Sequence, residues 1–332
     1  MRPFKRGVIF FVCLFMLLLS AACSLNQSLT KIRVSEVTRS IFYTPLYVAI
    51  EKGFFEENGI NLELKTGWGG DKTMTALLSD GADVALVGSE TSIYVYKQGA
   101  SEKIINFAQL TKNDGTFLVS REPKPDFTWD DLKDSTFLGQ RKGGMPQMVG
   151  EFVLKKHGID PHEDLNLIQN IDFANIVNAF MSGSGEYVQL FEPSASILEE
   201  EGAGFIIASF GEESGELPYT TFMAKEGFIK EEKTAKKFIK ALLQAQEWVE
   251  ENDSEEIAKV IQPYFDDTDV GMIATVVDRY RSQGSFATDM KLEKDNWEHL
   301  QEIMIEAGEL NEKVPYEELV NTSLVEDVMK NK

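Results

Sequence analysis

The side chains able to bind a ligand or move a proton gather where predicted strands give way to turns or helices. Arg39, Phe42 and Tyr43 lie at the first such junction, Trp68 and Asp71 at the second, and Ser89, Glu90 and Thr91 at the third. Arg141, Gly144 and Gln147 fall in a fourth (Gln140 to Gln147), Asn170 to Asp172 forms a fifth, and Glu192 sits in a sixth. Tyr219 joins them from an extended stretch further on. In open α/β sheets the carboxyl ends of strands and the free N–H groups of the following helices face one crevice, so these residues are the candidate ligand contacts. The rings of Phe42, Tyr43 and Trp68 suit either the sandwiching of a flat ligand or the packing of an edge. Glu90 reads as a partner of a helix N-terminus or as an acceptor for a ligand N–H. Ser89 and Thr91 add hydroxyls beside Gly88. Arg141, Lys142 and the Gly143-Gly144 turn can hold an anion or a carbonyl, or form a tight turn beside a solvated basic pair. Asp71 and Glu192 occupy helix starts, where acids are favoured in any case.

Signatures of catalysis are missing. Gly67 to Thr73 ends like a phosphate loop, but Asp71 precedes Lys72 where glycine is required. Neither a Gly-x-Ser-x-Gly elbow nor a His-Glu-x-x-His pair occurs. His157, His162 and His299 stand where capping, solvation and late helical packing account for them. With two cysteines, Cys13 and Cys23, no cysteine-ligated metal site or thiol nucleophile is expected in the folded part, and no cofactor is implied.

The elements that must position these residues alternate. Ile32 to Val37, Leu62 to Leu64 and Val84 to Val87 read as strands, with helices over Leu46 to Glu57 and around Met74 to Leu78 between them. The grammar repeats in strands at Thr136 to Gly139, Leu167 to Gln169, Tyr187 to Leu190 and Phe205 to Ala208. Helices at Pro146 to His157, Asp172 to Met181 and Pro193 to Glu201 separate these. Such βαβ units predict parallel sheets covered by helices. From Glu231 onward the pattern is helical, and the stripes Phe238, Leu242, Ala245, Val249 and Trp297, Leu300, Ile303, Met304 are read as core. Asn106 to Ser120 and Pro218 to Ala224 are the expected crossovers between two α/β lobes. Arg121 to Asp134 is expected to be a surface connection. The lobes would take residues 31–115 plus 222–332, and 116–221. A chain of 332 residues with 43% hydrophobic content is long enough for two such domains. Its 54 acids against 33 bases, a net charge of −21, argue against nucleic-acid binding.

The first 22 residues read as a secretory signal. Arg2, Lys5 and Arg6 precede 12 apolar residues from Val8 to Leu19, too few to span a bilayer. Leu19-Ser20-Ala21-Ala22-Cys23 resembles a lipobox, with Ser20 where a large aliphatic residue is usual and Leu19 one place early. Cys23 is therefore the expected lipidation site, residues 23–30 a linker, and the location extracytoplasmic on a bacterial cell membrane. The processed chain keeps 30 bases against 54 acids, a charge that predicts no attraction to an anionic membrane surface.

Tyr43-Thr44-Pro45-Leu46-Tyr47-Val48-Ala49, Glu51-Lys52-Gly53-Phe54-Phe55, Gly69-Gly70-Asp71, Gly81-Ala82-Asp83-Val84-Ala85 and Gly88-Ser89-Glu90-Thr91 resemble the opening signature of the NMT1/THI5-like substrate-binding proteins of ABC importers. Gly143-Gly144-Met145-Pro146 and Phe191-Glu192-Pro193 extend the resemblance, which covers residues 31–250. It implies a type II periplasmic-binding-protein fold with two α/β lobes and two hinge crossovers, closing on a small solute for a permease and its ATPase. Such a protein acts as a monomer. Relatives bind sulfonates, taurine, nitrate, thiamine-pyrimidine precursors or riboflavin. The carboxylates at the junctions favour a planar N-heterocycle, and Arg141 with the glycine turn keeps a sulfonate or nitrate as the alternative. A ligand-sensing module is a further reading, and a pyrimidine-synthesis enzyme another. The enzyme branch carries a cysteine-rich motif that the processed chain lacks.

Overall fold

The computed structural model describes residues 29–331; the signal segment and Cys23 lie outside the described residues. Strands are β1 (Thr30–Glu36), β2 (Ile60–Thr66), β3 (Val84–Gly88), β4 (Ile104–Thr111), β5 (Thr116–Ser120), β6 (Thr136–Leu138), β7 (Asn166–Ile168), β8 (Tyr187–Phe191), β9 (Phe205–Ser209) and β10 (Thr220–Lys225). The first helices are α1 (Thr44–Glu51), α2 (Phe54–Glu57), α3 (Gly70–Leu78), α4 (Glu90–Lys97), α5 (Met145–Lys156), α6 (Ile176–Met181), α7 (Ser194–Glu200) and α8 (Phe210–Ser214). After β10 come α9 (Glu226–Lys230), α10 (Glu232–Glu251), α11 (Ser254–Ile261), α12 (Val270–Ser282), α13 (Lys294–Glu306), α14 (Tyr316–Leu319) and α15 (Ser323–Lys330).

Two five-stranded sheets result, ordered β2-β1-β3-β10-β4 and β7-β6-β8-β5-β9. The alternating pattern predicted parallel sheets. Both are mixed: β10 runs antiparallel to β3 and β4, and β5 antiparallel to β8 and β9. The inserted strand is in each case the one that has just arrived from the other sheet, so it enters its new sheet in the opposite sense. The two crossings run side by side. Leu217 and Tyr219 donate backbone N–H groups to the carbonyls of Lys112 and Thr111, at 2.9 and 3.2 Å. Strand β4 ends one sheet yet is buried along all eight residues, because Val320 bridges to Asn106 and Phe286 to Thr111 along its free side.

Two helices differ from expectation. The single helix over Leu46 to Glu57 is two, broken at Gly53, whose φ of 75° is left-handed and easily adopted by glycine. The helix expected from Asp172 begins at Ile176. The Asp172 carboxylate is held by Arg141, and residues 172–175 form a turn closed by Asn175 N–H on the Asp172 carbonyl. The late apolar stripes are buried as expected: Phe238, Leu242, Ala245 and Val249 on α10, and Trp297, Leu300, Ile303 and Met304 on α13. The connection from Arg121 to Asp134 is the expected surface segment, mostly exposed, with Leu132 buried. It carries a 3-10 turn with a Thr128/Asp131 capping box, and Trp129 stacks on His157 at 4.5 Å.

Candidate ligand-binding cleft

A cavity of about 470 Å³ lies between the two sheets, and its walls are the carboxyl ends of their strands. From the first sheet come Val37 and Thr38 after β1, Trp68 to Lys72 after β2, and Gly88 with Glu90 after β3. The second sheet contributes residues 140–146 after β6, residues 172–175 after β7, and Phe191 at the end of β8. Each strand here hands over to a polar or glycine-rich turn. The turn aims its backbone donors and side chains into the space between the sheets.

The loop bearing Trp68 is pinned by its neighbours. Gly67 and Gly69 donate to the carbonyls of Glu36 and Val37, at 2.8 and 3.0 Å, which forces Trp68 into a left-handed φ of 57° and leaves its side chain 59% exposed at the mouth. A large residue rarely adopts that conformation. Across the mouth Arg141 reaches Asp172 at 3.1 Å and Asp71 at 3.6 Å, the second pair spanning the two sheets. All three side chains are more than half exposed, so these bridges orient the rim more than they hold it shut.

Deeper in, Glu90 opens α4 and is buried. Its carboxyl group folds back over Gly88, where a Cβ would come within 2.7 Å of the carboxyl carbon. Glycine at 88 is thus the residue that admits this conformation. Burial raises the Glu90 acid to about 8, against the opposing pull of its own backbone N–H and that of Met145, which starts α5 on the facing side. Its Oε2 has no hydrogen-bond partner among the described residues. Tyr94, one helical turn further along α4, donates to the Gly143 carbonyl at 3.2 Å and so also crosses the cleft. Tyr43 and Tyr219 are buried phenols in the wall. Burial drives each well above the usual tyrosine range, with Glu36 adding to the effect on Tyr43 and Asp114 to that on Tyr219. Asp114, in the first hinge crossing, is itself raised to about 6 by burial, although Thr116 donates to it from its backbone N–H and its hydroxyl.

Of the residues singled out in the sequence, Tyr43, Trp68, Asp71, Glu90, Thr91, Arg141, Gly144 and Tyr219 line this cavity. Five stand behind it, each held by a partner that the junction rule does not see. Arg39 lies between the rings of Tyr47 and Tyr264 and 3.4 Å from the buried carboxylate of Glu36. Phe42 packs on Tyr280 at 4.9 Å and against Phe191 and Tyr219. Ser89 donates to the Pro218 carbonyl. Gln147 accepts from Gly143 N–H at 2.9 Å and donates to Glu151 at 2.7 Å, bracing the glycine turn from the rear. Glu192 is an ion-pair partner of Arg279 and accepts from Ser196.

Missed from the sequence were Thr38, Tyr94, Phe173 and Thr220, while Gln140 and Phe191 lie in selected junctions without being singled out. Tyr94 was recoverable from its i, i+4 spacing to Glu90; Phe173 entered the wall only because its predicted helix is a turn. None of the histidines is in the cleft: His157 pairs with Glu213, His162 with Glu151, and His299 with the Ser214 carbonyl. Among the described residues no cluster of three His, Cys, Asp or Glu side chains could hold a metal ion.

The model of the NMT1-like family matches residues 37–262, more than half of the chain. The chain belongs to the NMT1-like family. The matched span runs through both hinge crossings and both walls of the cleft, and ends before α12 supplies Arg279 and Tyr280. Among similar proteins, "Putative binding protein YtlA" of Bacillus subtilis (strain 168) is 60% identical over 320 residues, 96% of each chain. Among solved structures, the ligand-binding component of an ABC-type import system from Staphylococcus aureus superposes with a TM-score of 0.73 at 14% identity, over 90% of this chain and 99% of that one. The alkanesulfonate-binding protein SsuA from Xanthomonas axonopodis pv. citri gives a TM-score of 0.71 at 17% identity, over 90% and 100%. At these identities the structural likenesses establish the periplasmic-binding-protein fold.

Proposed function

We propose that this NMT1-like protein is the lipid-anchored, monomeric solute receptor of an ABC importer, closing its lobes on a planar nitrogen heterocycle. A thiamine-pyrimidine precursor or a riboflavin-like compound is the class intended. The lobes take residues 31–115 with 222–332 and 116–221, and the anchor is Cys23. Support for the receptor role comes from the family, from the 60% identical binding protein and from a cleft built on two hinge crossings.

One observation carries the ligand class: Glu90 is the buried carboxyl of the cleft that keeps an oxygen free of partners among the described residues, and the buried Tyr219 hydroxyl in the same wall is likewise unpartnered. Ionised, that oxygen accepts an N–H; protonated, it donates to a ring nitrogen or carbonyl. Heterocycles carry both kinds of edge, and the rings of Tyr43, Tyr94, Phe173 and Phe191 offer faces for stacking. The cleft's bases, Lys72, Arg141 and Lys142, are not buried.

The alternative is an aliphatic sulfonate, taurine or nitrate, favoured by the start of α5, where Gly144 caps the helix without a side-chain bond. An anion there meets Glu90, so it binds only with that acid protonated. A heterocycle held by an N–H on ionised Glu90 and an anion therefore have opposite pH signatures, whereas a heterocycle that accepts from protonated Glu90 shares the sign of the anion. Affinity for an N–H donor rises as pH climbs towards 8 and then levels, whereas affinity for an anion falls through the same range. Titration calorimetry of a bound heterocycle at several pH values checks the sign. Glu90→Gln should weaken such a ligand by about 1–3 kcal/mol. An unchanged affinity returns Glu90 to a purely structural role.

A further inference from the structure

Helix α10 turns its apolar face to the core and carries Lys233, Lys236, Lys237 and Lys240 along the other, at i, i+3, i+4 and i+7. Lys236 is neutralised by Glu232 at 2.9 Å and Asp327 at 3.0 Å. Among the described residues, Lys233, Lys237 and Lys240 form no ion pair. Further along the same face Trp248 is half-buried, with the Lys52 ammonium 4.8 Å over its ring. A stripe of unpaired cations ending in an aromatic ring is unusual for a chain with 54 acids against 33 bases.

The stripe also lies where the chain leaves for its anchor. Thr30 opens β1 and donates to the Gly59 carbonyl at 2.9 Å, and the Lys237 ammonium lies 3.0 Å from where a Cβ on Gly59 would stand. Next to Gly59, Asn58 donates to Gln244 of α10 at 2.6 Å. Only the stretch from Cys23 to Leu29 separates the lipidation site from this corner, about 20 Å when fully extended.

We propose that the Lys233/Lys237/Lys240 face of α10 docks on the anionic phospholipid surface of the membrane that holds the anchor. The inference rests on the lipid-anchored reading of Cys23. The net charge of the whole chain argues for repulsion, but at physiological ionic strength charges more than about 8 Å away are screened, so the nearest side chains decide. Docking this corner sets the orientation of the receptor. The cleft opens beyond the carboxyl end of β1, a seven-residue strand whose other end is Thr30, so it stands about 20 Å further from the bilayer and faces outward while empty.

The test uses the processed, acylated full chain in vesicles of phosphatidylcholine alone or with one-third phosphatidylglycerol. After flotation, lysines are acetylated briefly and the modification is read by mass spectrometry, with Lys142 at the cleft as internal reference. Expected is at least fivefold slower labelling of Lys233, Lys237 and Lys240 on the anionic vesicles, reversed by high salt, with Lys142 unchanged. Equal labelling on both vesicles, equal protection on both, or protection of Lys142 instead overturns the docking while leaving the anchor intact. Failure to float on either vesicle overturns the anchor and the docking together.

Discussion

Glu90, the proposed ligand contact, is set against stability. Its acid stays uncharged in the native fold up to about pH 8, whereas in the unfolded chain it ionises near 4.5. A raised carboxyl favours the native state least where the unfolded chain would be ionised, so the ligand-free protein loses stability as pH rises from 4.5 to 8. Glu90→Gln should therefore stabilise it at pH 8 by roughly 2–4 kcal/mol and leave it unchanged near pH 4.5, as thermal melts at the two pH values will show. Glu192 is pushed up by burial in the same direction but differs in having an ion-pair partner. Its buried carboxylate is matched by Arg279, and removing the arginine leaves the charge uncompensated. Arg279→Ala should cost about 3 kcal/mol in denaturant unfolding, reduced somewhat by solvent at the partly exposed guanidinium. The contrast between these acids was not legible in the sequence, where both sit at strand-to-helix junctions. Arg279 lies 87 residues from Glu192, and no local spacing announces it. Arg39 misled in part for the same reason: Tyr264 reaches it from far along the chain, although Glu36 is only three residues away.

Elements were easier to read than their directions. Hydrophobic runs located seven of the ten described strands, β4, β5 and β10 lying in stretches read as extended crossovers, and the junction rule located most of the cleft wall, because both depend on residues close in the chain. The sense of β5 and β10 depends instead on how the chain re-enters each sheet, which periodicity does not encode. The crossings are also where small residues are obligatory. Gly211 stands so close to the Asp114 carbonyl that a Cβ would collide with backbone, and a Cβ at Gly115 would meet the Phe42 ring at 2.9 Å. Gly211→Ala should destabilise the protein by about 1–3 kcal/mol, measured as a lowered midpoint in urea, since a backbone atom yields less readily than a side chain.

At the scale of the molecule, the two sheets are joined by adjacent hydrogen-bonded crossings that offer a hinge, while the apolar core runs continuously across both. The contacts that span the mouth, Arg141 with Asp71 and Tyr94 with Gly143, are few and partly solvated, so the mouth itself yields at little cost; behind the cleft the two sides are also joined by the buried Glu192–Arg279 pair and by Ser40 donating to the Glu192 carbonyl. Small-angle scattering should show a smaller radius of gyration with bound ligand than without; an unchanged radius would speak against closure. The claim at the centre of the account is that the cleft takes a nitrogen heterocycle. A thermal-shift panel on the protein beginning at Ser24 tests it most directly, with thiamine-pyrimidine precursors, riboflavin, taurine, alkanesulfonates and nitrate as ligands. A ligand at 100 times its dissociation constant adds about 2.7 kcal/mol, enough to move the midpoint clearly. A heterocycle should shift the midpoint, and the shift should be lost or reduced in Glu90→Gln. A shift with a sulfonate or nitrate, and none with any heterocycle, would contradict it.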